Sequence, residues 1–328
     1  MISTVARSFV PRLDAPKRGL KLRATFLLFA LTLAEGLSAA ETGKLAPTLQ
    51  PFVDSGLMAG AVALVATPDK VLSVDTVGYS DLAAKKPMRA DAVFWIASQS
   101  KPITAAALMM LVDEKKVNVD DPVAKYLPEL ADQWLKAEAD GDHQLWKRPR
   151  RPVLVRDLLT HTSGFSPKSA IEEPTNDILP LATRVRSYAM MPLNSEPGTK
   201  YVYSNAGINT VGRIVEVVSG MPYGKFLEER LFRPLGMKDT TFWPSGPQLE
   251  RLAKAYEPAG GMLKERPIEQ LKYPLDGRDR TAFPGGGLFS TAQDLLKFYR
   301  MLVGFGLFEG QRILSPDAVR QMTSIQTP

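Results

Sequence analysis

Cysteine is absent from this 328-residue sequence, and histidine occurs only at His143 and His161. Without cysteine there can be no disulfide, thiol nucleophile, zinc–thiolate site or lipidated N-terminal Cys. The absence does not identify a compartment, since exported proteins can fold without disulfides. The scarcity of histidine leaves little material for a Ser–His pair. His161 and Ser163 are close in sequence, yet no acid partner accompanies them, and a structural role for His161 is expected. No cluster has metal-ligand spacing, so neither a metal nor an organic cofactor is expected. The acid pairs Asp120-Asp121 and Glu172-Glu173 read as cap, turn or surface charges. Gly285-Gly286-Gly287 lacks the lysine and spacing of a phosphate loop and reads as close backbone packing or a hinge.

Excess positive charge is also missing from most of the chain. The formal net charge is +6, but residues 1–40 carry Arg7, Arg12, Lys17, Arg18, Lys21 and Arg23 against Asp14 and Glu35, a net of +4 that leaves +2 elsewhere. That is no footprint for nucleic acid, which is excluded as a partner. The apolar run after this basic region, Ala24–Ala34, is too short for a permanent membrane span. Ser38-Ala39-Ala40 then offers small residues for cleavage. Residues 1–40 are therefore predicted to be a signal peptide or export segment. The protein is expected to be exported, periplasmic or secreted, with no stable membrane anchor after cleavage.

The remaining sequence is rich in structural signals. Leu45–Met58 reads as a helix, and Ala59–Thr67 with Val71–Tyr79 as a β-hairpin around Pro68-Asp69-Lys70. Thr104–Glu114 is apolar almost all round, as a central buried helix would be. The polar stretch from Glu129 to Pro152, with Lys147-Arg-Pro-Arg-Arg-Pro152, reads as a solvated loop. Leu154–Thr160, Gly207–Ser219 and Tyr223–Leu231 read as helices. Thr291-Ala-Gln-Asp294 resembles a capping box opening a helix to about Val303, and Ser315-Pro-Asp starts another.

Chemistry concentrates at Ser98-Gln-Ser-Lys101. A serine at the start of a helix meets unpaired N–H groups and the positive end of the macrodipole. A lysine one turn along shares its face, and if desolvated it can accept the serine proton. The spacing alone is weak, because about one Ser-x-x-Lys arises by chance in such a chain. Its surroundings are more specific. Phe94-Trp-Ile-Ala-Ser98, Asp157-Leu-Leu-Thr-His-Thr-Ser-Gly-Phe165, Glu196-Pro-Gly-Thr-Lys-Tyr-Val-Tyr-Ser-Asn205, Phe232-Arg-Pro-Leu-Gly-Met237 and Gly285-Gly-Gly-Leu-Phe-Ser-Thr291 follow one another in order.

Together these segments resemble the serine β-lactamase and penicillin-binding-protein family, closest to its class C-like and esterase branch. The resemblance implies Ser98 as the acylated nucleophile, Lys101 as its proton acceptor or orienter, Tyr203 as a proton relay and Asn205 as a hydrogen-bonding partner of substrate or Lys101. A phenol beside a lysine can act as a base, and an amide can donate and accept at one place. The implied fold is α/β (α+β), an antiparallel-sheet lobe flanked by helices plus a mainly helical lobe. Residues 41–328 would form one domain of two interleaved lobes, the helical one spanning about residues 120–285. Family members carry a third motif, Lys-Thr-Gly or His-x-Gly, on a C-terminal strand; none follows Tyr203-Ser-Asn205, and a C-terminally incomplete chain is expected. The expected function is serine hydrolysis of a small-molecule ester, amide or β-lactam. The alternative is a non-catalytic protein of this fold that binds a cell-wall peptide or a protein partner.

Overall fold

The computed structural model describes residues 45–327; the predicted export segment lies outside them. Helix α1 (Ala46–Asp54) is shorter than the predicted Leu45–Met58. Gly56, at φ +72°, turns the chain just beyond its end. Strands β1 (Gly60–Ala66) and β2 (Val71–Asp81) form the predicted antiparallel hairpin, in register from Gly60 opposite Gly78 to Val65 opposite Ser73, with a shift before Ala66 pairs with Val71. Thr67 donates its N–H to the Lys70 carbonyl at 2.8 Å and closes the turn. Strand β3 (Lys86–Pro87) adds to β2, giving the order β1-β2-β3.

The central helix α2 (Ser100–Asp113) begins four residues earlier than predicted. Its Ala-Ala-Ala-Leu-Met-Met-Leu interior is rich in strong helix formers. Ile103, Ala106, Ala107, Leu108 and Leu111 are all fully buried, so the helix has no solvent face at these positions. It packs against α5 (Asn205–Ser219), which is flanked in turn by α3 (Val155–Leu159) and α4 (Leu181–Ala189). Ser204 caps α5, its Oγ accepting the Gly207 N–H, and Gly220 at φ +71° ends it. Helix α6 (Tyr223–Leu227) runs through a π-helical turn at Glu228–Phe232 into α7 (Arg233–Leu235), and α8 (Pro247–Glu250) follows.

The stretch read as a solvated loop holds a hairpin instead, β5 (Leu135–Asp140) with β6 (His143–Lys147). Of its residues only Leu135 is buried. Strand β5 alternates apolar and polar residues, but its apolar positions after Leu135 are only Ala137 and Ala139, and β6 does not alternate, so the strand pattern is weak. The basic tract beyond it is tied into the fold. Arg148 lies over the Trp134 ring, 4.0 Å from its centroid, and Arg151 clasps the buried Asp157 carboxylate with bonds of 2.6 and 2.9 Å. A further hairpin joins β7 (Tyr256–Ala259) to β8 (Met262–Glu265).

Strand β4 (Phe94–Trp95) pairs antiparallel with β9 (Phe289–Ser290). Helix α9 (Ala292–Val303) starts as the capping pattern predicts, with the Thr291 side chain accepting the Asp294 N–H. A short ribbon, β10 (Leu307–Phe308) with β11 (Gln311–Arg312), precedes α10 (Pro316–Thr323), capped by Ser315. The fold is thus a mixed α/β arrangement of small antiparallel sheets and helices. Most of the buried apolar residues belong to one helical core, and a smaller one gathers Val93, Ile268, Leu271, Leu275, Phe283 and Phe289.

Between these cores residues 280–287 form a strap across α5. The buried Arg280 pairs with the buried Asp177 at 2.7 Å. Arg184 Nη2 donates to the Ala282 carbonyl at 2.5 Å, and Thr104 Oγ1 donates to the Pro284 carbonyl at 3.0 Å. Gly212 lets α5 approach this closely, because a Cβ there would lie 3.0 Å from Pro284 Cβ and nearer still to its Cγ. Gly212→Ala is therefore expected to overpack the contact at a cost of about 1–3 kcal/mol. A melting temperature unchanged from wild type would show that the strap yields without penalty.

Candidate active site

Ser98 lies in the single 3₁₀ turn Ala97–Gln99, which leads directly into α2. The α-helix proper begins at Ser100, so Ser98 precedes the helical end rather than opening it. Ala97 has φ +45°, an uncommon conformation for a residue with a side chain. The turn is fixed from both sides. Ile96 donates its N–H to the Leu288 carbonyl at 3.0 Å, and Trp95 Nε1 donates to the Gly286 carbonyl at 2.6 Å. The Ser100 hydroxyl donates to the Ala97 carbonyl at 2.7 Å and accepts the Leu288 N–H at 3.2 Å. The strand pair β4–β9 and these bonds hold the serine at the surface, where its side chain is exposed.

Lys101 is buried one turn behind it. Its Nζ donates to Ser98 Oγ at 3.0 Å, to Asn205 Oδ1 at 2.8 Å and to the Gly285 carbonyl. An ammonium has three N–H groups, and all three are used. Burial pushes Lys101 down to about 8, because the charged form loses hydration. When the proton leaves, two N–H groups and one lone pair remain. The two carbonyl oxygens can only accept, so they retain the N–H groups. The lone pair must then face Ser98 Oγ, the one partner of the three that carries a proton.

Tyr203 occupies the extended segment before α5, and Asn205 is the first residue of that helix. The Tyr203 hydroxyl stands 2.6 Å from Ser98 Oγ, and Lys101 Nζ lies 4.6 Å from the centre of the Tyr203 ring. Structure thus brings together all four residues singled out from the sequence: Ser98, Lys101, Tyr203 and Asn205. Behind Tyr203 stands His161, its ring centre 4.7 Å from that of Tyr203 and tilted by 36°. His161 Nδ1 accepts the Ser204 N–H at 3.2 Å, and its carbonyl accepts the Val202 N–H at 2.8 Å. Burial, reinforced by the Lys101 charge, pushes His161 down to about 4. The neutral imidazole is a backing for Tyr203 and not half of a pair with Ser163, which is itself buried and accepts the Phe165 N–H.

Two parts of the site went unread in the sequence. The glycine run contributes more than close packing, since its first carbonyl holds Lys101. Glu172, read as a cap or surface charge, is buried beneath the site. Its carboxylate accepts the Ser169 N–H at 2.9 Å, the Tyr188 hydroxyl at 2.5 Å and Asn209 Nδ2 at 3.3 Å. Helix α4, which supplies Tyr188, was itself not foreseen, and that removed the clue to its burial.

A serine flanked by a buried amine and a phenol is equipped for nucleophilic attack and proton transfer without a metal ligand among its members. Residues 45–327 match the family model described as Beta-lactamase. Protein Rv1367c of Mycobacterium tuberculosis is 37% identical over 287 residues, covering 84% of this chain and 70% of that protein. A lovastatin esterase of Penicillium rubens is 31% identical over 291 residues, covering 84% and 71%. Among solved structures, EstCE1, a hydrolase with promiscuous acyltransferase activity, superimposes with a TM-score of 0.67 at 26% identity, covering 89% of this chain and 77% of that one.

Proposed function

Because the chain belongs to the Beta-lactamase family over residues 45–327, we propose that it is a serine hydrolase acting through an acyl-enzyme at Ser98 on an ester, amide or β-lactam carbonyl. The observation that carries this reading is the full use of the Lys101 ammonium, which leaves Ser98 as the only proton source for the neutral amine. The likeness to the lovastatin esterase favours esters within that substrate range.

In the forward step Lys101 takes the Ser98 hydroxyl proton across their 3.0 Å contact, while the Tyr203 hydroxyl, 2.6 Å from Oγ, donates to the developing alkoxide and relays a proton onward to the leaving group. Oγ forms a bond to the carbonyl carbon, and the carbonyl π electrons move onto oxygen. When that intermediate collapses, the bond to the leaving group breaks, and the leaving group receives a proton from the Lys101–Tyr203 pair. Water then attacks the acyl-serine with the same pair as base. The acid departs, and Ser98 regains its proton. Asn205 keeps Lys101 in place and lies close enough to the serine to contact the substrate amide or ester. His161 stays neutral near pH 7 and holds the Tyr203 ring from behind.

Two experiments test this. A fluorophosphonate probe should label the wild-type protein and leave folded Ser98→Ala unlabelled, with p-nitrophenyl ester hydrolysis falling at least about a thousandfold. Undiminished labelling of Ser98→Ala would remove Ser98 from the mechanism. The pH profile provides the second. The depressed Lys101 value means that the neutral base is gained as pH rises, so kcat/KM should climb through about pH 8 and then level. Lys101→Arg, which stays protonated, should be inactive throughout. A rate that falls between pH 7 and 9 would contradict a lysine base.

A further inference from the structure

The Gly285 carbonyl that holds Lys101 is itself held from below. Asn209 sits on α5 one turn beyond Asn205 and is fully buried. Its Oδ1 accepts the Gly285 N–H at 3.1 Å. On the other side its Nδ2 donates to Glu172 Oε1 at 3.3 Å and to the Tyr188 hydroxyl at 3.0 Å. Tyr188 in turn donates to Glu172 at 2.5 Å. Burial, with Glu172 beside it, holds the Tyr188 phenol well above the usual tyrosine range, so it remains a donor. An amide in this place has only one workable orientation. Turned over, it would set N–H against the Gly285 N–H and oxygen against the carboxylate, two unsatisfied contacts in a dry interior.

Gly285 has no slack against the site. A Cβ on it would stand 3.0 Å from Asn205 Oδ1 and 2.9 Å from Phe283 Cε2. The neighbouring Arg184, also buried, fixes the strap three residues earlier through the Ala282 carbonyl. The Gly285 N–H belongs to the Pro284–Gly285 peptide and its carbonyl to the next one, whose Gly286 N–H is held by the Phe283 carbonyl at 3.1 Å. A shift of the Gly285 Cα therefore moves the carbonyl on Lys101.

We propose that Asn209, oriented by Glu172, is a positioning residue for acylation. It anchors the Pro284–Gly285 peptide through the Gly285 N–H and so fixes the Cα from which the Gly285 carbonyl reaches Lys101. This carbonyl keeps one Lys101 N–H and leaves the lone pair on Ser98. This inference rests on the reading of Ser98 and Lys101 as the acylating pair. None of the three supporting residues touches substrate, so their removal should slow the acyl step and leave substrate affinity alone.

The test measures the fluorophosphonate acylation rate, kcat and KM for a p-nitrophenyl ester, and the melting temperature of the full chain. Asn209→Leu keeps the size and removes both polar groups. Acylation should slow by about ten- to a hundredfold, the scale expected of small misplacements, with KM within about twofold of wild type. Glu172→Gln leaves one amide oxygen where two carboxylate oxygens accept the Ser169 N–H, the Tyr188 hydroxyl and Asn209 Nδ2, so an N–H opposes a donor whichever way the amide turns. The network that orients Asn209 loosens, and acylation should slow by roughly tenfold. The double variant E172Q/N209D restores a donor facing an acceptor at each contact and should recover most of the lost rate. A purely structural role predicts lower melting temperatures without that recovery. The proposal is overturned if folded Asn209→Leu acylates at the wild-type rate, or if E172Q/N209D is no faster than E172Q. Should Asn209→Leu not melt cooperatively, the comparison of E172Q with the double variant decides alone. Ser98→Ala in the same assay separates the two ideas: labelling that survives it defeats the acyl-enzyme reading, whatever Asn209 does.

Discussion

The Lys101 ammonium donates to three acceptors that come from three separate parts of the chain, and the remainder of the site is arranged around keeping them there. Ser98 arrives on a turn stapled to the β9 region, Asn205 on the first turn of α5, and the Gly285 carbonyl on the strap. A buried amine without its partners would be expensive, since desolvation of a charge is offset only by well-placed dipoles. Here the same dipoles that make burial tolerable also dictate where the lone pair points after deprotonation. Stability and reactivity are consequently set by one set of bonds.

Beneath that set lies a second polar layer, made of Glu172, Tyr188 and Asn209, with Arg184 and the Asp177–Arg280 pair holding the strap farther along. Buried polar groups of this kind contribute little net stability when fully paired but penalise every alternative geometry. They therefore suit the task of fixing one backbone carbonyl within a few tenths of an ångström. Apolar packing could fill the same space, yet it would not distinguish a peptide plane from the same plane tilted.

Ser98 and Lys101 were legible as a pair because they share one turn, but Tyr203 and Asn205 were legible only through the resemblance of the ordered segments around them to a known family. The sequence also disclosed the hairpin and the central helix, whose apolar runs are long. What lay beyond its reach depends on distant pairing. Glu172 and Glu173 are adjacent and identical, yet one is buried under the site and the other is exposed and pairs with Lys168. The Ser169-Ala-Ile-Glu172 spacing marks Glu172 as the capping residue, and its carboxylate does accept the Ser169 N–H, but its burial comes from α4, which brings Tyr188 over it. Asn209 likewise reads as an indifferent helix residue until Gly285, 76 positions away, is seen against it. The β5–β6 hairpin escaped for the opposite reason, since nearly all of its side chains face water, β5 alternates only with the small Ala137 and Ala139, and β6 does not alternate.

Asn205, Asn209 and Gly212 occupy one stripe of α5, separated by one turn and then by nearly another, and each meets the strap. This makes the helix a ruler as much as a support. Its rise of about 1.5 Å and rotation of about 100° per residue mean that one inserted or deleted residue between Asn205 and Gly212 would swing the later contacts off the strap together. Substitutions at the half-buried Arg213 and the exposed Val217, beside the stripe, leave that spacing intact. The tolerance of α5 to sequence drift is therefore confined to its few exposed positions, since the faces away from the stripe are themselves buried, and it is nearly nil along the helix length.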